Sequence, residues 1–128
     1  MKIFIVDDDA MFSTMLKDEL ENNFPSNVVS FNNGEDFIKQ IYANPDVVIL
    51  DYHLSGEHNL AKDGYSIFKE MKKLNPHVPV IFLSGQEHYG LMLSIVKDGV
   101  YRYFNKDEEA FKNVINAVRQ LIHDGKIH

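Results

Sequence analysis

The sequence DVVILD at residues 46–51 decides the fold, because an apolar run without polar alternation ends abruptly at a carboxylate. A run this short and uniformly apolar is typical of a strand covered on both faces of a parallel sheet. Similar runs stand at 3–6, 28–31 and 79–83, and a more amphipathic run at 101–104 is predicted to form an edge strand. The chain therefore contains five predicted strands.

Helical patterns separate these strands. Asn32 and Glu35 have the spacing of a capping box before the second helix, the third helix begins near Gly64, and Gly99 is the predicted stop of the fourth. The apolar faces comprise Phe12, Leu16 and Leu20 with Met15 beside them; Phe37, Ile38 and Ile41; Phe68, Met71 and Leu74; Met92, Ile95 and Val96; and Phe111, Val114, Ile115, Val118, Leu121 and Ile122. Strict alternation of strand and helix predicts an α/β fold with a parallel sheet and right-handed crossovers, in one domain spanning 1–128.

The composition narrows the classes of function. With 128 residues and 45% hydrophobic residues, the chain is long enough for one domain with a proper core. Its formal net charge of −6 argues against direct binding of nucleic acid, and the absence of cysteine excludes disulfides, thiolate metal sites and Cys nucleophiles. No apolar stretch approaches the length of a membrane span, so we expect a cytoplasmic protein without a membrane partner.

Two predicted strands end in acidic residues. The first is followed by Asp7, Asp8 and Asp9, and the third by Asp51. If these strands are neighbours, Asp7, Asp8 and Asp51 converge in the crevice beyond the carboxyl ends of the sheet. Clustered carboxylates repel one another, which favours either a protonated group or a bound hard cation such as Mg²⁺. The alternative for a single Asp is helix capping, and Asp9 is the predicted N-cap of the first helix.

Two further strand ends carry polar side chains. Ser84 follows the fourth strand and Lys106 follows the fifth. Alone, each is an ordinary turn or surface residue. Together they place a hydroxyl group and a cation beside the acidic crevice, which is the equipment needed to handle a phosphoryl group.

The ordered set of these motifs resembles the response-regulator receiver family of two-component signalling over essentially the whole chain. The resemblance is carried by IVDD at 5–8, VILD at 48–51, PVIFLSG at 79–85 and YFNK at 103–106. It implies a single, doubly wound, flavodoxin-like sheet of five parallel strands in the order 2-1-3-4-5, with five helices.

The resemblance also implies roles for individual residues. Asp51 resembles the phosphoacceptor, Asp7 and Asp8 resemble the acidic pair that holds Mg²⁺ (or Mn²⁺ as a substitute), and His53 stands where the family uses a backbone carbonyl as a metal ligand. The implied function is a phosphoacceptor switch that supports its own phosphorylation and dephosphorylation, and is not otherwise an enzyme.

Three further residues complete the implied switch. Ser84 resembles the hydroxyl that closes onto the phosphate, Lys106 the lysine that pairs with a phosphate oxygen, and Tyr103 the aromatic switch residue. The implied partners are a sensor histidine kinase or phosphotransfer protein, and an output domain or effector that binds the face of the fourth helix, fifth strand and fifth helix. A homodimer formed on phosphorylation through the same face is the third implied partner. The apolar residues of that face, among them Leu91, Met92 and Ile95, suit either a contact surface or the core.

The sequence departs from the family pattern at two places. Asp107 stands where many members have proline, so we expect a trans bond or local strain after Lys106. The loop at 55–62 is longer than the family norm and places His58 near His53, although the acidic pair suits Mg²⁺ better than a transition metal.

Two other functions remain open on these residues. One is an interaction module that no longer accepts phosphate, which the complete set of acidic, Ser and Lys residues argues against. The other is a hydrolase that turns over a phosphorylated substrate through an aspartyl phosphate. Such hydrolases commonly carry a second Asp two residues after the nucleophile, where this chain has His53.

Overall fold

The computed structural model describes residues 1–53, 63–85 and 89–127, so the predicted long loop at 55–62 and His58 lie outside the described residues. Strands and helices alternate along the described chain. The strands are β1 (Lys2–Val6), β2 (Asn27–Phe31), β3 (Val47–Asp51), β4 (Val80–Ser84) and β5 (Arg102–Asn105). The helices are α1 (Ala10–Asn23), α2 (Gly34–Lys39), α3 (Gly64–Leu74), α4 (Tyr89–Lys97) and α5 (Ala110–His123), and a 3₁₀ turn (Ile41–Ala43) follows α2.

The five strands form one parallel sheet in the order β2-β1-β3-β4-β5. The predicted topology and the predicted edge position of β5 are thereby confirmed. Because the strand order reverses between β1 and β3, their carboxyl ends lie side by side, with Val6 opposite Leu50. The register next places Asp51 opposite Leu83 and Ser84 opposite Asn105.

The uniformly apolar strands are those with helices on both faces. Every residue of β3 and β4 is buried, whereas β5 has two half-buried residues between two exposed ones. One face of the sheet forms a first core cluster with α1 and α5, to which Leu16 and Val118 contribute. The other face forms a second core cluster with α2, α3 and α4, which includes Phe68 and Ile95. Burial of this apolar surface is the main stabilising contribution to such a fold.

Helix ends follow the sequence prediction at three places, including the start of α3 at Gly64, and depart from it at one. Asp9 caps α1 by accepting a hydrogen bond from the Phe12 N–H at 3.1 Å, as predicted. The predicted capping box at Asn32 and Glu35 is wrong by one residue. Asn33 is the N-cap of α2, because its backbone is extended and its side chain accepts from the Asp36 N–H at 2.8 Å.

The end of α4 is the predicted one. Gly99 has a φ of 93°, and its N–H donates to the Val96 carbonyl at 3.1 Å. The next N–H, of Val100, reaches back to Ile95. Only glycine adopts this left-handed conformation readily, so the residue ends the helix.

The structure also separates core from surface on the α4 side. Ile95 is fully buried and belongs to the core, whereas Leu93 and Val96 are exposed, at 65% and 54%. Leu91 and Met92 are half-buried. The peptide bonds of the described residues are all trans, including the one after Lys106. Among the described residues no helix is long and apolar enough to cross a membrane.

Candidate functional site

Three carboxylates meet at the carboxyl ends of β1 and β3. Asp7 and Asp8 follow β1, and Asp51 is the last residue of β3. Each offers an oxygen atom, and these atoms all lie within 4.8 Å of one another. Asp7 and Asp51 are both only 2% exposed, whereas Asp8 is exposed. The geometry therefore brings together the three aspartates whose convergence the strand ends predict.

The backbone holds Asp7 in place. Its N–H donates to the Phe31 carbonyl of β2 at 3.0 Å, which continues the sheet by one residue. Its Oδ1 atom accepts a hydrogen bond from the Asp9 N–H at 2.8 Å. The carboxylate is thus fixed between the sheet and the start of α1 and cannot turn toward solvent without losing this bond.

Lys106 supplies the positive charge of the site. Its Nζ atom lies 2.8 Å from Asp7 Oδ2 and 3.6 Å from Asp51 Oδ2, and the side chain is 17% exposed. Its backbone N–H donates to the Ser84 carbonyl at 2.8 Å, which ties the turn after β5 to the end of β4. One ammonium group therefore faces two buried carboxylates.

The excess of negative charge perturbs the site. Burial, followed by the negative charge of Asp7, raises the pKa of Asp51 to about 7, although Lys106 acts in the opposite direction. Burial also raises the pKa of Asp7 against the lowering effect of Lys106. For Lys106, burial opposes the charged form, but the contacts with Asp7 and Asp51 outweigh it and raise its pKa. The cluster therefore holds more carboxylates than ammonium groups, and a further positive charge would offset this excess.

A hard divalent cation fits this deficit. The buried Oδ1 atom of Asp51 accepts no hydrogen bond from the described residues, so one carboxylate oxygen is available as a ligand. The donor set consists of carboxylate oxygens only, which Mg²⁺ prefers over softer metals. Asp7, Asp8 and Asp51 are the residues able to hold it.

Comparison with known proteins identifies the family. The family model described as the response regulator receiver domain matches residues 3–119. The chain belongs to this receiver domain family. Receiver domains are the signal-receiving modules of two-component systems, and the expectation drawn from the motifs is thereby confirmed at the level of the family.

Relatives of this receiver domain include regulators and an enzyme. The transcriptional regulatory protein CssR of Bacillus subtilis is 38% identical over 85 residues, 66% of this chain and 35% of that protein. The protein-glutamate methylesterase/protein-glutamine glutaminase 1 of Carboxydothermus hydrogenoformans is 33% identical over 125 residues, 94% of this chain and 35% of that protein. The chain thus spans about a third, 35%, of the length of each of these two relatives.

A solved structure gives the same picture. The signal receiver domain of the DNA-binding response regulator merR from Colwellia psychrerythraea superposes with a TM-score of 0.83 at 29% identity. The match covers 96% of this chain and 98% of that one. Strand order and helix placement therefore agree with a receiver domain over nearly the whole chain.

Ser84 and Tyr103 occupy neighbouring strands of the receiver domain. Ser84 is fully buried at the end of β4. Tyr103 is half-buried, and its ring stacks on Phe82 with centroids 5.8 Å apart and an interplanar angle of 7°. Phe82 belongs to the second core cluster and lies two residues before Ser84. The ring of Tyr103 thus packs on the strand that carries the serine, and the role of Tyr103 as a switch stays a prediction.

His53 follows Asp51 by two residues and is half-buried. Its ring meets the Tyr52 ring edge-on, with centroids 5.0 Å apart. The His53 side chain is therefore packed against Tyr52 and is only partly exposed to solvent. The prediction that its backbone carbonyl is a metal ligand remains a prediction.

The start of α3 presses against the phosphoacceptor candidate. The Gly64 N–H donates to the Tyr52 carbonyl at 2.8 Å. A Cβ atom at Gly64 would overlap the Asp51 carbonyl oxygen and would lie 2.6 Å from Tyr52 Cα. Glycine is therefore required here for close approach of two backbones.

The sequence reasoning assigned Phe12 to the core and missed its contact with Lys106. The Lys106 Nζ atom lies 4.4 Å from the centroid of the Phe12 ring. The available signal was the position of Phe12 on the first turn of a helix that begins at Ala10, directly beyond the acidic end of β1. A residue there can overhang the crevice.

Proposed function

We propose that this receiver domain accepts a phosphoryl group on Asp51 from a phosphohistidine donor, in the presence of Mg²⁺. One observation carries the proposal above all. The Asp51 carboxylate is buried at a sheet end with Oδ1 free of hydrogen bonds from the described residues, and Oδ2 lies 3.6 Å from the Lys106 ammonium. A nucleophilic oxygen and a cation for the incoming charge thus stand in one pocket.

The transfer forms one bond and breaks one. An Asp51 carboxylate oxygen bonds to phosphorus, the P–N bond of the phosphohistidine breaks, and the imidazole of the donor leaves and takes up a proton. A bound Mg²⁺ supplies positive charge that offsets the repulsion between the carboxylate and the phosphoryl oxygens. Asp7, Asp8 and Asp51 would hold the cation, together with the backbone carbonyl of His53, and Lys106 would pair with a phosphoryl oxygen. Mn²⁺ is expected to substitute for Mg²⁺.

The phosphorylated state then changes the neighbouring strands. The acyl phosphate carries nearly two negative charges, which attract the Ser84 hydroxyl and the Lys106 ammonium. Movement of Ser84 opens space beside β4, so that Tyr103 leaves its stacked position on Phe82 and turns inward. This alters the face formed by α4, β5 and α5, called here the output face. Two residues of α4, Leu93 and Val96, have exposed side chains.

The partners follow from this scheme. A sensor histidine kinase or phosphotransfer protein donates the phosphoryl group, and an output domain, an effector protein or a second copy binds the output face. The net charge of −6 opposes direct contact with nucleic acid. We infer a switch without a substrate of its own. One relative is named a protein-glutamate methylesterase/protein-glutamine glutaminase, but the match covers only 35% of that protein.

The test is phosphorylation by a small-molecule donor. Incubation with acetyl phosphate and Mg²⁺, followed by intact-mass analysis, should show the gain of one phosphoryl group. Asp51→Asn should show none, because the amide is a poor nucleophile. Addition of EDTA or the change Asp8→Asn should reduce the gain strongly, since EDTA removes the cation and the substitution removes one of its ligands.

Asp46→Asn is the matched control. Asp46 precedes β3 at its other end and accepts a hydrogen bond from the Lys2 N–H at 2.7 Å, which an amide oxygen can also accept. This variant should be phosphorylated like wild type. A wild-type protein that gains no phosphate from acetyl phosphate or from a phosphorylated kinase would favour the alternative of an interaction module. Turnover of small phosphoesters by wild type, lost in Asp51→Asn, would favour the hydrolase.

A further inference from the structure

Besides the more distant charge of Asp9, three groups lie close to the Lys106 ammonium in the described part of the chain, and they differ in one respect. Two are the carboxylates of Asp7 and Asp51, at 2.8 and 3.6 Å. The third is the face of the Phe12 ring, 4.4 Å from Nζ to the centroid. Both carboxylates belong to the group of aspartates able to hold a metal ion, whereas the ring cannot bind one. A divalent cation therefore competes with Lys106 for two of its contacts and leaves the third intact.

Competition of this kind displaces a flexible side chain. A lysine has four rotatable carbon–carbon bonds and is strongly hydrated, so an ammonium repelled by a nearby divalent charge tends to swing into solvent. In the proposed function Lys106 has to stay beside Asp51 at the moment when the cation is bound. An attraction independent of the carboxylates is needed for this, and a cation–π contact provides one.

The Phe12 ring also contacts a second aromatic ring. The rings of Phe12 and Phe111 have centroids 5.1 Å apart, and both side chains pack against the first core cluster. Phe12 lies in the first turn of α1, whose N-cap is Asp9, and Phe111 lies in the first turn of α5. The ring that contacts Lys106 therefore packs against a second helix and the core, which restricts its movement.

We propose that Phe12, supported by Phe111, is a positioning residue that keeps the Lys106 ammonium beside Asp51 while a divalent cation occupies the carboxylates. The inference rests on the proposed function for its consequence, since the held ammonium is the group that meets the phosphoryl oxygens. The contact itself exists without phosphate, so it can be measured independently.

The first experiment is NMR of the Lys106 ε-CH₂ protons in the full chain. Protons above an aromatic face resonate upfield of their usual position. Wild type should show this upfield shift with and without Mg²⁺, and Phe12→Tyr should retain it. Phe12→Leu and Phe12→Met, two apolar residues without a ring, should lose it, and Phe111→Leu should reduce it because the Phe12 ring loses its support. A wild-type shift that disappears on addition of Mg²⁺ would overturn the proposal.

The second experiment is the rate of phosphorylation by acetyl phosphate at saturating Mg²⁺. Phe12→Leu and Phe12→Met should be slower than wild type by about 2- to 30-fold, the range expected for loss of a cation–π contact. Phe12→Tyr should restore the rate, which a purely structural requirement for apolar volume would not explain. If the ring-less variants react as fast as wild type, the ring has no positioning role.

Phe24→Leu is the matched control. Phe24 directly follows α1, belongs to the same core cluster and lies under a cation, Arg119, at 5.7 Å, but it is far from the carboxylates along the helix. It should react like wild type. The failures are distinguishable: a wild type that takes up no phosphate contradicts the proposed function, while the NMR shift still decides the position of Lys106. A phosphorylated wild type with unaffected Phe12 variants contradicts the positioning role alone.

Discussion

The first four residues of β3 are apolar, whereas its last residue, which is equally buried, is a carboxylate. Val47 to Leu50 are apolar, buried and packed between helices on both faces of the sheet. Asp51 is buried to the same degree, at 2% exposure, yet it is a carboxylate beside two others. The strand interior therefore contributes stability, while its end holds a charge that is unfavourable to bury. Functional sites commonly reduce the stability of the fold that supports them.

The same change occurs one strand away. Ile3 to Val6 of β1 belong to the two core clusters, and Asp7 follows them with 2% exposure. Lys106 offsets part of the repulsion, but one ammonium faces two carboxylates. We conclude that core and site meet within a single peptide bond on each strand. Substitutions on the two sides of that bond should have effects of opposite sign.

The largest effect is expected in the strand interior. Leu50→Ala removes a fully buried side chain next to Asp51 and should lower the free energy of unfolding by about 2–5 kcal/mol. Urea denaturation followed by circular dichroism measures this change. Leu93→Ala, at a position 65% exposed, is the control and should change the stability by less than about 1 kcal/mol. Similar losses at the two positions would contradict the assignment of Leu50 to the core.

The neighbouring substitution Asp51→Asn should instead stabilise the cation-free protein. The folded pKa of about 7 lies above the usual 3.8, so between these values the folded state binds more protons than the unfolded state. The contribution of Asp51 to the stability of wild type therefore falls as the pH rises from about 4 to 7. The asparagine variant avoids this loss, with a gain on the order of 1–3 kcal/mol above pH 7.

Denaturation in EDTA at pH 4 and pH 8 measures this gain. The advantage of Asp51→Asn should be small at pH 4 and full at pH 8. Added Mg²⁺ should stabilise wild type more than the variant, since the variant has lost a ligand. A destabilised Asp51→Asn at pH 8 would show that the pair with Lys106 outweighs the cost of burying the charge.

Much of the fold and the site could be predicted from the sequence, because core residues and site residues differ in polarity. The buried strands are apolar runs, as at 47–50, and the site residues are polar groups at strand ends, such as Asp7 and Asp51. The absence of polar alternation identifies the buried strands, and the position of a polar residue at a strand end identifies the site. Parallel strands then bring their ends together without further information.

Helix caps and the contacts between helices and the site could not be predicted from polarity along the chain. Asn32 and Asn33 are chemically identical candidates for the N-cap, and only the backbone conformation selects Asn33. Phe12 looks like any core residue of α1, because its contact with Lys106 depends on the relative placement of a helix and the turn after β5. Gly64 gives no sign that its neighbour is the backbone of Asp51.

Gly64→Ala should reduce both the stability of the fold and the reactivity of Asp51. A methyl group there would overlap the carbonyl oxygen of Asp51, and neither backbone can move without shifting the site or the start of α3. We expect a loss of about 1–3 kcal/mol in stability, together with slower phosphorylation by acetyl phosphate. Gly90→Ala in α4 is the control, since a Cβ atom there meets nothing within 4 Å. Unchanged phosphorylation in Gly64→Ala would show that α3 adapts without moving Asp51.

The smallest effect distinguishes two aspartates of a single run. Asp7 is buried and its pKa is raised by burial, whereas Asp9 is exposed and accepts a hydrogen bond from the Phe12 N–H. Asp9→Ala should therefore destabilise the protein by about 1 kcal/mol, as for other lost N-caps. Asp9→Asn keeps the acceptor and should cost less, since it loses only the favourable charge at the helix N-terminus. Thermal unfolding of both variants at low salt measures the difference. Equal losses would mean that the charge of Asp9, which also faces Lys106, matters more than its hydrogen bond, and that Asp9 belongs electrostatically to the site.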